Sequence, residues 1–493
     1  MSAQTAPPAT VRPSATTGPR TAAERAARVR FRRALSLMAM TLVLPGSAQL
    51  VAGNRQVGRW ALRIAAGLVA ATLVIAPTSY FWHGLFFFLG TTPWVLTWLR
   101  LVLIVLGIGW AALFVDAWRL GQPLTLSLRH RRWAIVVNGA LALSVASALL
   151  YGSHEVGVTR GALVAMFGNG AKSNAVDGRY NVLLLGADSG VSRWGLRTDS
   201  MTVASIDADT GKTVLIGLPR NMESFPFREG SIMAKQFPHG YDCSGCELNS
   251  LTTYADDHRS LFKDYAQPGV EATIEGIEGI TGLRINYWAM VNLQGFRDLA
   301  DAVGGVTINV RQPIAIGKTG AVTGYIQPGV QKLSGDKLLW YARSRATSDD
   351  YSRMARQKCV MAAMLQQVSP TDVVKHFDSI ASAGQAMFKT SIPTSEVGTF
   401  VDLALKARKA KVATVSLVPP AINTGDPDIA KAHKLVANAI AKSEGTGAKA
   451  GKGSSGGAKK HHRKAPQQMT EGSFGSLSTG YAANQTDDLS NAC

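Results

Sequence analysis

Acidic residues and cysteine are scarce in this chain of 493 residues, and lysine and arginine are missing altogether from residues 79–99. Asp and Glu number 33 against 52 Lys and Arg, giving a formal net charge of +19 and a pI near 9.9. Such a balance favours polyanionic partners, whether nucleic acid, anionic lipid or phosphate-rich polymer. Charged residues make up only 17% of the chain and hydrophobic ones 46%, with a mean hydropathy of +0.07. That is high for a soluble protein, and the apolar residues crowd into the first third. The four cysteines offer no second CxxC pair at metal spacing, which argues against a four-cysteine zinc site. GNGAKSN at 168–174 lacks the spacing of a P-loop and follows no strand, so it carries no nucleotide-binding weight.

No cleavable signal-peptide pattern opens the sequence. Residues 1–33 instead form a polar arm with Arg12, Arg20, Arg25, Arg28, Arg30, Arg32 and Arg33, expected to be disordered and cytoplasmic. A transmembrane region is expected over 34–152. Segments 60–78, 98–118 and 133–152 are each long and apolar enough to cross a bilayer, which takes about 20 residues. Segment 34–53 is apolar too, but it contains PGSAQL and reads as re-entrant or interfacial. Arg119, Arg129, Arg131 and Arg132 mark residues 119–132 as cytoplasmic, whereas 79–99 carries no such charge. Three crossings then leave everything after Tyr151 outside, and so do five, if 34–53 and FWHGLFFFLG both cross. An extracytoplasmic domain removes nucleic acid as the main partner.

After a linker over 153–177, the pattern changes at Arg179 to short, nearly continuous apolar runs: YNVLLLGAD, SMTVASID and KTVLIGLP. These read as strands covered on both faces. Helical patterns follow at about 247–264, 270–282, 293–303, 333–345, 351–368, 373–388, 396–408 and 427–442, with strand-like INYWAMV, GVTINV and KVATVSLV between them. Strands interleaved with helices predict an α/β domain over 178–442 with helices on both sheet faces. Function is expected at strand ends and loops. From Ser443 the composition collapses to Gly, Ser, Ala, Lys and His, so 443–493 reads as a flexible basic tail, with His461 and His462 solvated.

Chemistry gathers at strand ends. The first strand ends in Asp188, Arg197 and Asp199 open the second, and Leu218-Pro219-Arg220 closes the third. YARSRATSDDYSRMARQ at 341–357 adds Arg343, Arg345, Asp349, Asp350 and Arg353. Each piece alone is the ordinary surface ion pair, worth about 0–1 kcal/mol. Together they suit phosphate, which arginine forks bind bidentately while a hard divalent cation on one or two carboxylates neutralises the remaining charge.

NVLLLGAD, RTDSMTVASID, LPRN, INYWAMVNLQGFRDLADAVGGVTINV and YARSRATSDDYSRMARQ resemble, in that order, the LytR-CpsA-Psr family of cell-wall polymer ligases, over about residues 178–390. The resemblance implies an α-β-α sandwich around a central mixed β-sheet. It also implies transfer of an anionic glycopolymer from polyprenyl pyrophosphate to peptidoglycan, forming a phosphodiester and leaving polyprenyl phosphate. Asp188 and Asp199 are expected to hold Mg²⁺ (or Mn²⁺). Arg197, Arg220, Arg343, Arg345 and Arg353 are expected to line the pyrophosphate. Asp350 is expected to orient the guanidiniums and, with Arg197 and Arg220, to serve catalysis, while the lipid lies in an apolar tunnel between sheet and helices. The sequence departs from the family's usual pattern at Asn221, where Asp is common, and at Glu247, where Lys often precedes Leu-Asn. A hydrolase using water in the same pocket, and a non-catalytic polyanion-binding envelope protein, are the alternatives.

Cys243 and Cys246 read as a short-loop disulfide outside the cell, or as half a zinc site with His239 or His258 nearby. Cys359 and Cys493 form a second candidate pair, with a buried thiol at Cys359 as the alternative.

Overall fold

The computed structural model describes residues 22–81, 85, 89–90, 92–167, 172–188, 197–346, 348–368, 388–445, 477–485, 487–489 and 493, leaving aside the side chains of 22–24, 79–81, 165–166, 188, 197 and 477–479. The chain divides into two units, residues 1–85 with 94–157 and residues 86–93 with 158–493.

The first unit is helical: α1 (Ala22–Val43), α2 (Ser47–Ala52), α3 (Arg55–Phe81), α4 (Pro93–Leu120) and α5 (Leu128–Met166). Among the described residues three helical stretches are long and apolar enough to cross a membrane: Arg55–Thr78, Pro93–Leu120 and Leu128–Val164. Each contains one of the spans read from sequence. Residues 22–33, expected to be disordered, are helical, because Ala, Arg and Glu are strong helix formers. Residues 153–166, expected as linker, prolong α5, in which no proline interrupts the hydrogen-bond ladder.

Within 34–53 the helix breaks at Pro45-Gly46 and α2 folds back on α3. Gly46 has φ 95°, and a Cβ there would lie 2.6 Å from the Ala61 Cβ, so only glycine permits the turn. Gln49 Nε2 donates to the Leu113 carbonyl at 3.0 Å and Trp110 Nε1 to the Thr41 carbonyl at 2.9 Å, which satisfies polar groups inside this unit.

The second unit is built on a six-stranded mixed sheet of order β10-β3-β2-β1-β4-β9. Its strands are β1 (Arg179–Asp188), β2 (Arg197–Asp207), β3 (Thr213–Leu218), β4 (Tyr287–Asn292), β9 (Phe388–Thr390) and β10 (Ala413–Ser416). β2 runs antiparallel to β1 and β3, whereas β4 pairs parallel with β1 and β10 parallel with β3. The carboxyl ends of β1, β3, β4 and β10 and the amino end of β2 therefore share one edge.

The apolar runs are continuous because both faces are covered. Leu183, Leu185, Val203 and Ile216 pack with Ile277 and Ile280 of α8 (Pro268–Thr281) and with Val436 of α13 (Ile429–Glu444). On the opposite face Leu184, Ala204 and Leu215 pack with Ala362 and Leu365 of α11 (Asp350–Gln367). Each such aliphatic side chain contributes about 1.5–3 kcal/mol on burial. This is the α/β architecture with helices on both faces.

The remaining helices are α6 (Ile232–Gln236), α7 (Leu251–Asp257), α9 (Leu293–Ala302), α10 (Gly335–Arg343), α12 (Val397–Lys409) and α14 (Leu477–Ala483). The helix expected over 247–264 is broken into α7 and two 3₁₀ turns, since Asp256, Asp257 and His258 are weak helix formers. The helix expected over 373–388 lies outside the described residues, apart from Phe388 in β9. Two hairpin-like pairs, β5 (Val306–Val310) with β8 (Gly329–Leu333) and β6 (Ile314–Lys318) with β7 (Ala321–Ile326), support α10 from a separate core.

The flexible tail expected over 443–493 requires correction at its far end. Residues 480–485, 487–489 and 493 lie against the domain: Ala413 bridges Asp488 at the outer edge of β10, and Cys493 is disulfide-bonded to Cys359 of α11. A covalent tie and backbone pairing outweigh the local composition. His461 and His462 lie outside the described residues.

Candidate functional site

Pro219 ends β3, and Arg220 follows at the shared sheet edge with its carbonyl accepting the Asn249 amide at 3.0 Å. Its guanidinium is held by two carboxylates: Nη1 donates to Asp199 Oδ1 at 2.7 Å and Nε to Asp350 Oδ1 at 3.1 Å. Asp199 occupies a β-bulge. In the β1–β2 register Gly186 faces Ser200 and Ala187 faces Thr198, so Asp199 is the extra residue, re-aimed toward Arg220.

The two adjacent aspartates divide their work. Asp349 caps α11, accepting from the Ser352 amide at 2.8 Å and from Ser352 Oγ at 2.6 Å. Asp350 is thereby turned to the arginines, accepting from Arg345 Nη1 at 3.4 Å and Arg353 Nη2 at 3.0 Å as well as from Arg220. Three guanidiniums thus meet two carboxylates, leaving a positive excess.

Burial alone would raise the Asp199 carboxyl, but Arg353 and Arg220 pull it below its ordinary value, so it stays ionised. For Arg220, burial loosens the proton, and Asp350 and Asp199 more than reverse this. Arg353, only 3% exposed, is shifted downward by burial against the pull of Asp350. Arg345 stands at the mouth, its side chain 41% exposed.

Of the expected site residues, Asp199, Arg220, Arg345, Asp350 and Arg353 come together. Arg343 closes α10 with its guanidinium over the Trp340 ring, 5.1 Å from the centroid. Asp188 and Arg197 are the last backbone pair of the β1–β2 register, at the same edge, but their side chains lie outside the described residues. Asn221 Nδ2 reaches Tyr351 Oη at 3.5 Å. Glu247 is half-buried and close enough to bear on Arg220 electrostatically.

Three further residues on α11 escaped the sequence reading. Arg356 is fully buried and donates to the Tyr341 carbonyl at 2.8 Å, to the Ser344 carbonyl and to Ser348 Oγ at 3.3 Å, fixing the turn that carries Arg345. Gln357 Oε1 accepts from Ser200 Oγ at 3.0 Å, tying α11 to β2. Lys358 is buried, and burial pushes its ammonium down to about 8. The available signal was spacing: Arg353, Arg356 and Val360, three and four apart, share one helix face and are all buried. A narrow cleft between β2–β3 and α11 is lined by Asp199, Met201, Leu218, Met354, Lys358 and Met361 among others.

Among the described residues no group of three or more His, Cys, Asp or Glu is placed to hold a metal. A hard cation completed by substrate phosphates needs only one or two carboxylates, and Asp199, its carboxyl held below the ordinary value, fits that demand. Cys243 and Cys246 are disulfide-bonded, with Cα atoms 5.1 Å apart, in the loop before Leu248.

Comparison with known proteins places these elements in context. Biofilm regulatory protein A of Streptococcus mutans is 28% identical over 237 residues, covering 46% of this chain and 53% of that protein. The polyisoprenyl-teichoic acid–peptidoglycan teichoic acid transferase TagU of Bacillus mycoides is 25% identical over 219 residues, covering 44% and 62% respectively. This chain therefore spans between about half and three-fifths of the length of these relatives. The crystal structure of TagV from B. subtilis aligns with a TM-score of 0.39 at 20% identity, over 54% of this chain and 96% of that one. The model of the LytR_cpsA_psr family matches residues 165–426, more than half of the sequence and every described part of the arginine site. The protein belongs to the LytR-CpsA-Psr family.

Proposed function

We propose that the chain is a membrane-anchored phosphotransferase. It moves an anionic glycopolymer from polyprenyl pyrophosphate to a hydroxyl of peptidoglycan, with the second unit on the outer face of the membrane. The observation that carries this reading is the cluster of Arg220, Arg345 and Arg353 on Asp199 and Asp350, positive in sum, at the carboxyl ends of the sheet. The transferase activity named for TagU supports it, and so do three helices able to cross a membrane.

The acceptor oxygen attacks the polymer-side phosphorus, and its proton passes to a carboxylate of the site. The anhydride bond breaks, and the electron pair departs on polyprenyl phosphate. Charge grows on the leaving oxygen and on the equatorial oxygens, where guanidiniums fixed beforehand by carboxylates stabilise it without reorganising. Asp199, together with Asp188 at the same sheet edge, where it pairs with Arg197, would hold Mg²⁺ (or Mn²⁺), which would supply further neutralisation of the diphosphate.

The test is incubation of the full chain in detergent with lipid-linked polymer, Mg²⁺ and peptidoglycan fragments. Polymer covalently bound to wall, lost in Arg345→Ala, supports transfer. Polymer released free identifies a hydrolase. Full function in Arg345→Ala and Asp199→Ala variants that still bind polymer would leave only a polyanion-binding role.

A further inference from the structure

The arginine site is assembled from two bodies, the sheet edge bearing Asp199 and Arg220 and the first turn of α11 bearing Asp350 and Arg353. Residues 480–485, 487–489 and 493 are fastened to both. On α11, the Asn484 side chain is 1% exposed, and its Nδ2 donates to the Tyr351 carbonyl at 2.7 Å and to the Gly480 carbonyl at 2.9 Å. The Asn484 carbonyl accepts from Lys358 Nζ at 3.0 Å, so a single residue grips two turns of one helix face. Tyr481 meets the Tyr351 ring edge-on at 4.6 Å, and Gly480 lies so close to Asp349, the cap of α11, that a Cβ would collide with its carboxylate. On the sheet, the Thr414 amide donates to the Asp487 carbonyl at 3.0 Å and the Leu489 amide to the Val412 carbonyl at 2.9 Å. Lys411 pairs with Asp488 at 2.7 Å. The Cys359–Cys493 bond, with Cα atoms 4.8 Å apart, closes the far end.

We propose that Asn484, on a segment locked by the Cys359–Cys493 disulfide, is a positioning residue for the pyrophosphate site: it sets the first turn of α11, and with it Asp350 and Arg353, against the sheet edge. The proposal rests on the pyrophosphate reading of that site. It makes these remote residues part of the binding machinery, and it makes oxidation of one cysteine pair a condition for full affinity. Among the described residues the Asn484 side chain donates to the Tyr351 and Gly480 carbonyls, so its removal leaves the Lys358 contact to the backbone in place.

The experiment measures binding of geranyl pyrophosphate to the full chain in detergent, with thermal unfolding in parallel. Asn484→Ala and Gly480→Ala are expected to bind about tenfold more weakly, as misplacement of fixed binding groups does. Val436→Ala, in the core on the other sheet face, serves as a control for lost stability and is expected to bind like wild type even where its Tm is as low. In a Cys243→Ser/Cys246→Ser background, reduction or Cys493→Ser is expected to give the same loss as Asn484→Ala. Wild-type affinity in Asn484→Ala and Gly480→Ala, or an equal loss in Val436→Ala at matched Tm, overturns the positioning role. Unchanged affinity on reduction overturns the disulfide's part in it. If the wild-type chain binds no geranyl pyrophosphate, or binds it independently of Arg345, the pyrophosphate reading itself falls and takes this proposal with it.

Discussion

Replacing Asp350 with Asn removes one negative charge and keeps the side-chain shape. In the native protein that carboxylate receives Arg220, Arg345 and Arg353, at 3.1, 3.4 and 3.0 Å. Removing one partner of a fully buried pair costs about 3–5 kcal/mol. Here the Arg353 side chain is 4% exposed, but Asp350 is 17% and Arg345 41% exposed, so solvent screens part of the loss. A cost of about 2–3 kcal/mol is expected, which at about 2–4 °C per kcal/mol lowers Tm by about 5–10 °C. The effect on anions runs the other way. With one carboxylate gone the arginines bind pyrophosphate more tightly, and ligand at 100 times its Kd returns about 2.7 kcal/mol. Turnover falls nonetheless, because the guanidiniums lose their common anchor. The assay is thermal unfolding of the full chain with and without inorganic pyrophosphate at low and high salt. A variant that melts with wild type, or that gains no more from pyrophosphate than wild type does, refutes the reasoning.

Asp199 is held below the ordinary carboxylate value of 3.8, so its stabilising contribution is complete above that value and drains away as pH falls through the depressed one. Asp199→Asn should be less stable at pH 7 and show a shallower loss of Tm below about pH 4. Glu271 behaves oppositely: burial, and then Glu275, raise its carboxyl from 4.5 to about 7, so folding is penalised increasingly as pH climbs between those values. Glu271→Gln should exceed wild type by about 1–3 kcal/mol at pH 8 and converge with it near pH 4.5 in denaturant titrations. Arg356→Met strands the carbonyls of Tyr341 and Ser344, at about 1–3 kcal/mol each, so both Tm and pyrophosphate affinity should drop. Arg356→Met that binds pyrophosphate like wild type at a reduced Tm would limit Arg356 to stability alone.

Much of the sheet was legible because β1, β2 and β3 are covered on both faces, which writes Leu, Val and Ile almost without interruption into the chain. The strands β6, β7 and β8 were harder to see than β5, whose GVTINV alternates: in AVTGYI only the last residue is buried, so no alternation marks the strand. At the site, Arg220 and Arg345 stood out as charges at element ends. The role of Asp199 depends on a bulge, and a bulge is a property of register between two strands rather than of either one. Arg356 was hidden by its own motif, since its bonds to the carbonyls of Tyr341 and Ser344 carry no residue-type signature. Of the return of residues 480–485, 487–489 and 493, only the Cys359–Cys493 pairing left a trace in the sequence; the contacts of Tyr481, Asn484, Asp488 and the backbone sit in a stretch whose composition reads as tail.

The bridge between Ala413 and Asp488 also bears on how the molecule is made. Until Asp488 arrives, β10 stands as an open strand border, the kind of surface that recruits neighbouring chains. Some 75 residues separate the two, which at 5–20 residues per second leaves the border uncovered for on the order of ten seconds of translation. Chaperone protection during that interval, and prompt closure after it, are demands placed on biosynthesis by a single backbone pairing.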